Sequence, residues 1–157
     1  MNVRPASPAD GPAIRDVARR SLQASYSLGP QAITSAIEEW YEEEQLEATL
    51  ADEDRLLLVV DDDGQVVGFS ESVLASDNTG TLLWLHVDPA HRGVGNATSL
   101  FERTRERLHE LGATHLQGRV LDDNVDGNTF YEEQGFERAG SEEIDIAGHT
   151  YVENLYT

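Results

Sequence analysis

The 157-residue sequence contains neither cysteine nor lysine. Without cysteine the chain has no disulfide, no thiolate metal site and no cysteine nucleophile. Long apolar runs are also missing, because no stretch approaches the ~20 apolar residues of a membrane-spanning helix. The first ten residues, MNVRPASPAD, lack the apolar core of a signal peptide. We therefore expect a cytoplasmic protein without a membrane partner.

Negative charge dominates the composition. Thirty Asp and Glu residues stand against 11 basic residues, all of them Arg, which gives a formal net charge of -19. At low ionic strength such a surface repels itself, whereas at molar salt the Debye length falls to about 3 Å and screens the repulsion. The composition thus resembles that of halophilic proteins from a salt-rich cytoplasm, and an ordinary acidic protein is the alternative. The composition argues against nucleic-acid binding, which needs a basic face.

Hydrophobic periodicity and turn residues predict one α/β (α+β) domain with a central sheet over residues 1–157. The predicted strands cover residues 2–6, 55–60, 65–74, 81–88 and 115–121, followed by an antiparallel tail at 136–139, 142–146 and 151–156. The predicted helices begin at Ser7 or Asp10, at residue 31 (ending at 51), after the glycines at 93 and 95, and at residue 125 (ending at 134).

The stretch from Leu82 to Gly112 carries the clearest functional signal. It consists of an apolar strand, a Pro-bearing turn, a glycine loop and a long amphipathic helix. Glycines before a helix let backbone amides approach a ligand, and the helix N-terminus adds unpaired N–H groups and a positive dipole end. This pattern predicts an anion site with a phosphate as the favoured occupant.

Within that stretch, residues 92–97 (RGVGNA) have the form R-x-x-G-x-A. On physical grounds the amides of Gly93 through Ala97 would bind a pyrophosphate. The loop lacks the third glycine of a dinucleotide fingerprint and the Gly-Lys-Ser/Thr of a nucleoside triphosphate loop. Taken alone, two glycines before a helix are also compatible with a plain tight turn.

Two motifs together resemble those of a known family. The run Val87–Gly95 is similar to the acyl-CoA-binding motif of the GNAT superfamily of N-acetyltransferases. The run Asn124–Phe136 resembles the family's N-x-x-A-x-x-x-Y-E-x-x-G-F segment, and departs from it at Gly127, where the family prefers Ala. The resemblance implies a mostly antiparallel central sheet of six to seven strands flanked by about four helices.

The same resemblance implies roles for individual residues. The loop residues would hold the pyrophosphate of coenzyme A: Arg92, Gly93, Val94, Gly95, Asn96 and Ala97. Leu85 and Val87 would present backbone groups to the pantetheine arm, and Asn124 would contact the same arm. Tyr131 would act as general acid on the departing thiolate, which suits a phenol of pKa ~10 facing a thiol near ~8.5. Acetyl-CoA is the implied co-substrate, and no metal is implied.

The implied reaction is direct attack of an amine on the acetyl thioester. An alkyl amine of pKa ~10.4 is mostly protonated at neutral pH, so a base or a desolvated site must take its proton. The strand before the loop has no carboxylate where many family members place this base. Glu71, Asp77 and His86 are the ionisable candidates. A base that acts through a water molecule, or an acceptor α-amine whose lower pKa makes a base less necessary, would leave no signature in the sequence.

The acceptor is less well defined than the donor. We expect a small-molecule or peptide amine, bound between the first two helices and the last hairpin. Tyr26, Trp40 and Trp84 are candidates for its lining, although core packing would explain the same aromatics. Two alternatives are a non-catalytic acyl-CoA-binding or sensing domain on the same fold, and a nucleotide-binding domain of another fold. A homodimer is compatible with the sequence.

Overall fold

The computed structural model describes residues 2–25 and 28–157, and its centre is a seven-stranded sheet. The strands in chain order are β1 (Asn2–Pro5), β2 (Arg55–Asp62), β3 (Gln65–Leu74), β4 (Thr79–Val87), β5 (His115–Leu121), β6 (Arg138–Ile146) and β7 (His149–Tyr156). Their spatial order is β1-β2-β3-β4-β5-β7-β6, and every described pair except β4–β5 is antiparallel. The predicted mostly antiparallel central sheet is confirmed.

Helices cover both faces of this sheet. The helices α1 (Gly11–Ser25), α2 (Pro30–Tyr41) and α3 (Glu43–Ala51) pack on one face, and α4 (Asn96–Glu110) and α5 (Val125–Glu133) pack on the other. We call these the α1–α3 face and the α4–α5 face. Strands covered on both sides read as continuous apolar runs, which explains the sequence RLLLVV of β2. No helix within the described residues is long and apolar enough to cross a membrane.

The prediction of one continuous helix over residues 31–51 is wrong. Glu42 is extended, with ψ of 162°, and separates α2 from α3, so that the described chain has five α-helices instead of about four. The Arg15 guanidinium donates to the Tyr41 carbonyl at 3.0 Å, which satisfies a backbone group at the end of α2. The break allows Tyr41 and Leu46 to be buried together.

The predicted tail of three short strands is a hairpin of two longer ones. β6 runs without interruption from Arg138 to Ile146, and a register shift between Arg138 and Gly140 absorbs the irregularity in the pattern. β7 then lies between β5 and β6. The last strand of the chain therefore joins the hairpin to the rest of the sheet.

The strands β4 and β5 diverge towards their C-terminal ends. Their parallel pairing runs only from Thr79–His115 to Leu82–Gly118. Directly afterwards the β3–β4 register shifts, and Leu83 is the extra residue of a β-bulge. A bulge bends and twists its strand, so β4 turns away from β5 and a gap opens between them.

Candidate functional site

The gap between β4 and β5 forms a cavity of about 300 Å³. Six of the residues assigned above to the site line it together: Leu85, Val87, Arg92, Ala97, Asn124 and Tyr131. The four predicted residues between Arg92 and Ala97 do not line the cavity themselves, and they connect two residues that do. The structure thus brings the two sequence motifs to one cavity, from opposite sides of the gap.

One side of the cavity is the edge of β4. The Asp88 N–H donates to the Val67 carbonyl at 2.8 Å, so the peptide groups of Asp88 point towards β3. Because these groups alternate along an antiparallel strand, those of Leu85 and Val87 point away from β3 and towards the cavity. The pairing with β5 has already ended at Leu82. An extended ligand that carries amides can therefore bind this edge as an added strand.

Polar side chains anchor the loop that follows β4. The Asp88 carboxylate accepts the Ala90 N–H at 3.0 Å and forms an ion pair with Arg20 of α1 at 2.9 Å. At the other end of the loop, the buried Asn96 side chain donates to the His91 carbonyl at 3.0 Å. These contacts fix the loop against α1 and against itself before any ligand binds.

The glycines of the loop are required by its backbone conformation. Gly93 and Gly95 have φ of 79° and 88°, and an added Cβ at either position would meet no atom within 4 Å. The requirement is therefore conformational rather than steric. Such turns direct successive amides into a concave surface, and the first turn of the 15-residue helix α4 follows at once. This is the backbone arrangement that an anion-binding loop needs.

The Arg92 side chain lies over the end of β4. Its Nε donates to the Val87 carbonyl at 3.2 Å, and its Nη2 donates to Ser21 Oγ at 3.1 Å. Ser21 is a buried residue of α1 that also lines the cavity. Sequence reasoning missed Ser21, because a serine on a predicted amphipathic helix belongs to no motif.

Tyr131 lines the opposite side of the cavity, from α5, and only 4% of it is exposed. Its ring packs directly against the backbone of Gly118 on β5, where an added Cβ would overlap the ring. The Tyr156 ring stacks on it at 5.6 Å between centroids. Three further aromatic rings surround it edge-on: Phe101, Phe130 and Phe136. Packing therefore leaves the phenol one position.

Asn124, for which the resemblance implies contact with the pantetheine arm, also has a structural role. It is the N-cap residue of α5, and its Oδ1 accepts the Gly127 N–H at 3.0 Å. A Cβ on Gly127 would overlap the Asn124 side-chain amide. The glycine that departs from the family pattern thus makes room for this orientation of the capping side chain.

The candidate bases Glu71 and Asp77 differ in their relation to the cavity. Glu71 is buried opposite Trp84, a cavity-lining residue, in the β3–β4 register and accepts from Arg55 at 3.0 Å. Burial raises the pKa of Glu71, and the Arg55 guanidinium opposes this effect. Asp77 lies in an exposed turn before β4, where it accepts the Thr79 N–H at 3.1 Å. That turn is at the end of β4 remote from the cavity.

His86 lies on the α1–α3 face, behind Ser21. Its Nδ1 is 2.8 Å from Ser21 Oγ, and its ring stacks on Trp84 at 5.1 Å between centroids. Burial, with a smaller contribution from the Arg92 charge, lowers the pKa of His86 to about 3. The imidazole is therefore neutral at pH 7 and a weak base.

The α1–α3 face beside the cavity combines aromatic and charged groups. The rings of Trp40 and Trp84 are 5.0 Å apart, and both side chains are half-buried, so their role in acceptor binding stays a prediction. Arg119 of β5 lines the cavity and contacts Glu153 at 3.2 Å and Glu142 at 3.8 Å. Sequence reasoning missed this cluster, because its members lie on three different strands. The remaining predicted acceptor residue, Tyr26, lies outside the described residues.

Comparison with known proteins agrees with this geometry. A model of the Acetyltransferase (GNAT) family matches residues 15–136. The chain is similar to the PaiA N-acetyltransferase from Thermoplasma acidophilum, solved in complex with coenzyme A, at 24% identity and a TM-score of 0.83, covering 98% of this chain and 96% of that one. It is similar to the ribosomal-protein-alanine N-acetyltransferase from Brucella melitensis at 19% identity and a TM-score of 0.74, covering 99% and 98%.

None of the curated proteins compared by sequence matches the chain. The structural likenesses show a common fold, and the family match spans both motifs that line the cavity. The chain therefore belongs to the GNAT acetyltransferase family, as its two motifs predicted.

Proposed function

We propose that this protein transfers an acetyl group from acetyl-CoA to a primary amine of a small molecule or peptide. One observation carries the proposal: the open edge of β4, the first turn of α4 and the side chain of Tyr131 meet at one cavity. These parts suit a pantetheine arm, a pyrophosphate and a departing thiolate respectively. Membership of an acetyltransferase family supports the donor.

The donor site consists mainly of backbone groups. Acetyl-CoA supplies the activated acetyl group when it is bound. The peptide groups of Leu85 and Val87 bind its pantetheine arm, and the amides of residues 92–97 bind its pyrophosphate. The Val87 carbonyl already accepts from Arg92, and a carbonyl oxygen has a second lone pair for the arm. Asn124 lines the cavity beside the arm while it caps α5.

Two proton transfers complete the reaction. The neutral acceptor amine attacks the thioester carbonyl, so that a C–N bond forms and the C–S bond breaks, and Tyr131 gives its phenolic proton to the leaving sulfur. We assign the amine proton to Glu71, through a water molecule. Exchange with solvent after product release returns Tyr131 and the base to their starting protonation states. Glu71 is buried next to the cavity-lining Trp84 and has a raised pKa. His86 has a pKa of about 3, and Asp77 lies at the remote end of β4.

The proposal is tested by incubating the protein with acetyl-CoA and a panel of amines and short peptides in molar KCl, while free thiol is followed. We expect thiol release that requires an amine. Tyr131→Phe should lower kcat at least about 100-fold, since general acids contribute roughly 10²–10⁴-fold. Its affinity for coenzyme A, measured by calorimetry, should stay within about threefold, because the phenol acts on the sulfur and the phosphates bind elsewhere.

The same assay separates the alternatives. Binding of coenzyme A without turnover of any amine would identify a non-catalytic acyl-CoA-binding domain. Stabilisation by NAD or ATP in preference to coenzyme A would overturn both that alternative and the proposed function.

A further inference from the structure

A buried polar network lies behind Tyr131, between α5 and β7. Its central residue is Asn128, which is 7% exposed and lies one turn before Tyr131 on α5. The network also contains Asn154 and Tyr156 of β7, both fully buried. None of these three side chains lines the cavity. Their contacts therefore need an explanation other than direct binding of a ligand.

Asn128 uses all four of its hydrogen-bonding positions. Its Oδ1 accepts from Tyr156 Oη at 2.7 Å and from Asn154 Nδ2 at 2.9 Å. Its Nδ2 donates to the Asn124 carbonyl at 2.7 Å and to the Leu121 carbonyl at 3.1 Å. A buried amide satisfied in this way has one allowed orientation. The side chain thus ties the end of β5 and the start of α5 to β7.

The helix that carries Tyr131 needs such an anchor. α5 has nine residues with a glycine in its first turn, and a helix of that length and composition is unstable alone. On the other side, the Tyr131 ring is confined by Gly118 and by the stacked Tyr156 ring. The hydroxyl of Tyr156 is in turn held by Asn128. One network therefore holds both the helix of Tyr131 and the ring against which Tyr131 packs.

We propose that Asn128 and Tyr156 are positioning residues that hold the Tyr131 phenol at the cavity. The inference rests on the proposed role of Tyr131 as general acid. Neither residue touches the reacting atoms, and both act through the placement of α5 and of the Tyr131 ring.

The first test is Tyr156→Phe, which keeps the stacked ring and removes the hydroxyl. We expect kcat to fall about 10-fold, because a small misplacement of a catalytic group can cost up to ~10²-fold. The dissociation constant for coenzyme A should stay within about twofold. In a Tyr131→Phe background the same change should cause no further loss of kcat, because the group that it positions is already absent. A merely structural role would reduce kcat equally in both backgrounds.

The second test is Asn128→Asp, which keeps the shape and the acceptor for Tyr156 but replaces the two N–H donors to backbone carbonyls. We expect faster amide hydrogen exchange in α5 than in the wild type, with exchange in α4 unchanged. The same measurement on Tyr156→Phe covers the case in which Asn128→Asp does not fold. Ser70→Ala is the matched control, since it breaks the buried Ser70–Thr104 contact of 2.7 Å outside the network. It should change neither kcat nor exchange in α5.

The outcomes separate this inference from the proposed function. If the wild type turns over no amine, the proposed function fails. In that case, amide exchange in α5 that is the same in Asn128→Asp and Tyr156→Phe as in the wild type would also show that the network does not hold the helix. If the wild type is active, the inference is overturned by a Tyr156→Phe enzyme with normal kcat. A loss that is the same with and without Tyr131 would overturn it too.

Discussion

The position of Tyr131 depends on the missing side chain of Gly118. An added Cβ would overlap the Tyr131 ring, which Tyr156 and three phenylalanines hold from its other sides. We expect Gly118→Ala to lower the free energy of unfolding by about 1–3 kcal/mol through overpacking. It should also lower kcat at least about 10-fold, because the phenol moves.

Chemical denaturation and thiol-release kinetics measure the two effects of Gly118→Ala. The control is Gly140→Ala on β6, where an added Cβ meets nothing within 4 Å. Equal behaviour of the two variants would show that the Gly118 contact does not place Tyr131.

Glu71 is the residue on which the base assignment depends. Because burial raises its pKa above the ordinary value of 4.5, the rate should fall as pH drops through that raised value and the carboxylate is protonated. Glu71→Gln should lower kcat at least about 10-fold and remove this acidic limb from the pH profile. Asp10→Asn is the matched control and should leave this limb in place, because Asp10 is another buried carboxylate with an Arg partner and does not line the cavity. An unchanged acidic limb in Glu71→Gln would contradict the assignment.

The lowered pKa of His86 leads to a separate prediction about how the free energy of unfolding depends on pH. Its pKa is lowered from 6.5 to about 3 in the folded protein, so the unfolded chain binds the proton more tightly. The stabilisation that follows is present above pH 6.5 and is lost as pH falls from there towards 3, by up to about 1.4 kcal/mol per pH unit. His86→Gln should flatten this dependence in urea unfolding between pH 4 and 7.5. Exposed His115→Gln should leave it as it is, and equal slopes in both variants would refute the prediction.

At the scale of elements, the loop between β4 and α4 is where backbone conformation and proposed donor binding coincide. Gly95 has φ of 88° and free space around its Cα, so Gly95→Ala introduces strain of about 1–2 kcal/mol without a clash. We expect the dissociation constant for coenzyme A to rise at least about 10-fold, since the loop amides move. Calorimetry measures it.

Gly64→Ala is the matched control for that loop. Gly64 has φ of 85°, also with no atom within 4 Å, but lies in the β2–β3 turn. Gly64→Ala should lose as much stability as Gly95→Ala, while its affinity for coenzyme A stays unchanged. Weakened binding in both variants would mean that the effect of Gly95→Ala is global.

Element boundaries follow the sequence where local chemistry decides them. The β2–β3 turn, with Asp63 and Gly64 both at positive φ, and the end of α4 before Gly112 occur where turn residues predicted them. The break at Glu42 was not predicted, because residues 31–51 have a helical pattern throughout. The partner at the end of α2 is Arg15, which lies in another helix. Local propensity contains no information about that contact.

At the scale of the whole molecule, the net charge leads to a prediction about how stability depends on salt. With a net charge of -19 and no lysine, the folded state suffers self-repulsion that salt screens. We expect the melting temperature to rise by at least about 10 °C between 0.05 M and 2 M KCl, equivalent to a few kcal/mol for a domain of this size. Scanning calorimetry across this series measures it. A melting temperature that is flat over the range would remove the halophilic interpretation.

The sequence by itself determined the features that depend on neighbouring residues. Strand, glycine loop and helix follow one another between Leu82 and Gly112, and the spacing of the second motif places Tyr131 on a short helix after a strand. These two local patterns predicted the family, and through the family resemblance they predicted the mostly antiparallel sheet; the residues assigned to the donor stay a prediction. Each depends on backbone conformations that a few adjacent residues control.

Only the tertiary structure decided how distant residues complete the site. The bulge at Leu83 separates β4 from β5, and Gly118 receives the Tyr131 ring. His86 lies behind Ser21, with its pKa lowered by burial. The physical reason is that burial, packing and hydrogen-bond partners are set by residues far apart in the chain. For the same reason the acceptor side that we propose, with Trp40 of α2 and Trp84 of β4, left almost no local pattern in the sequence.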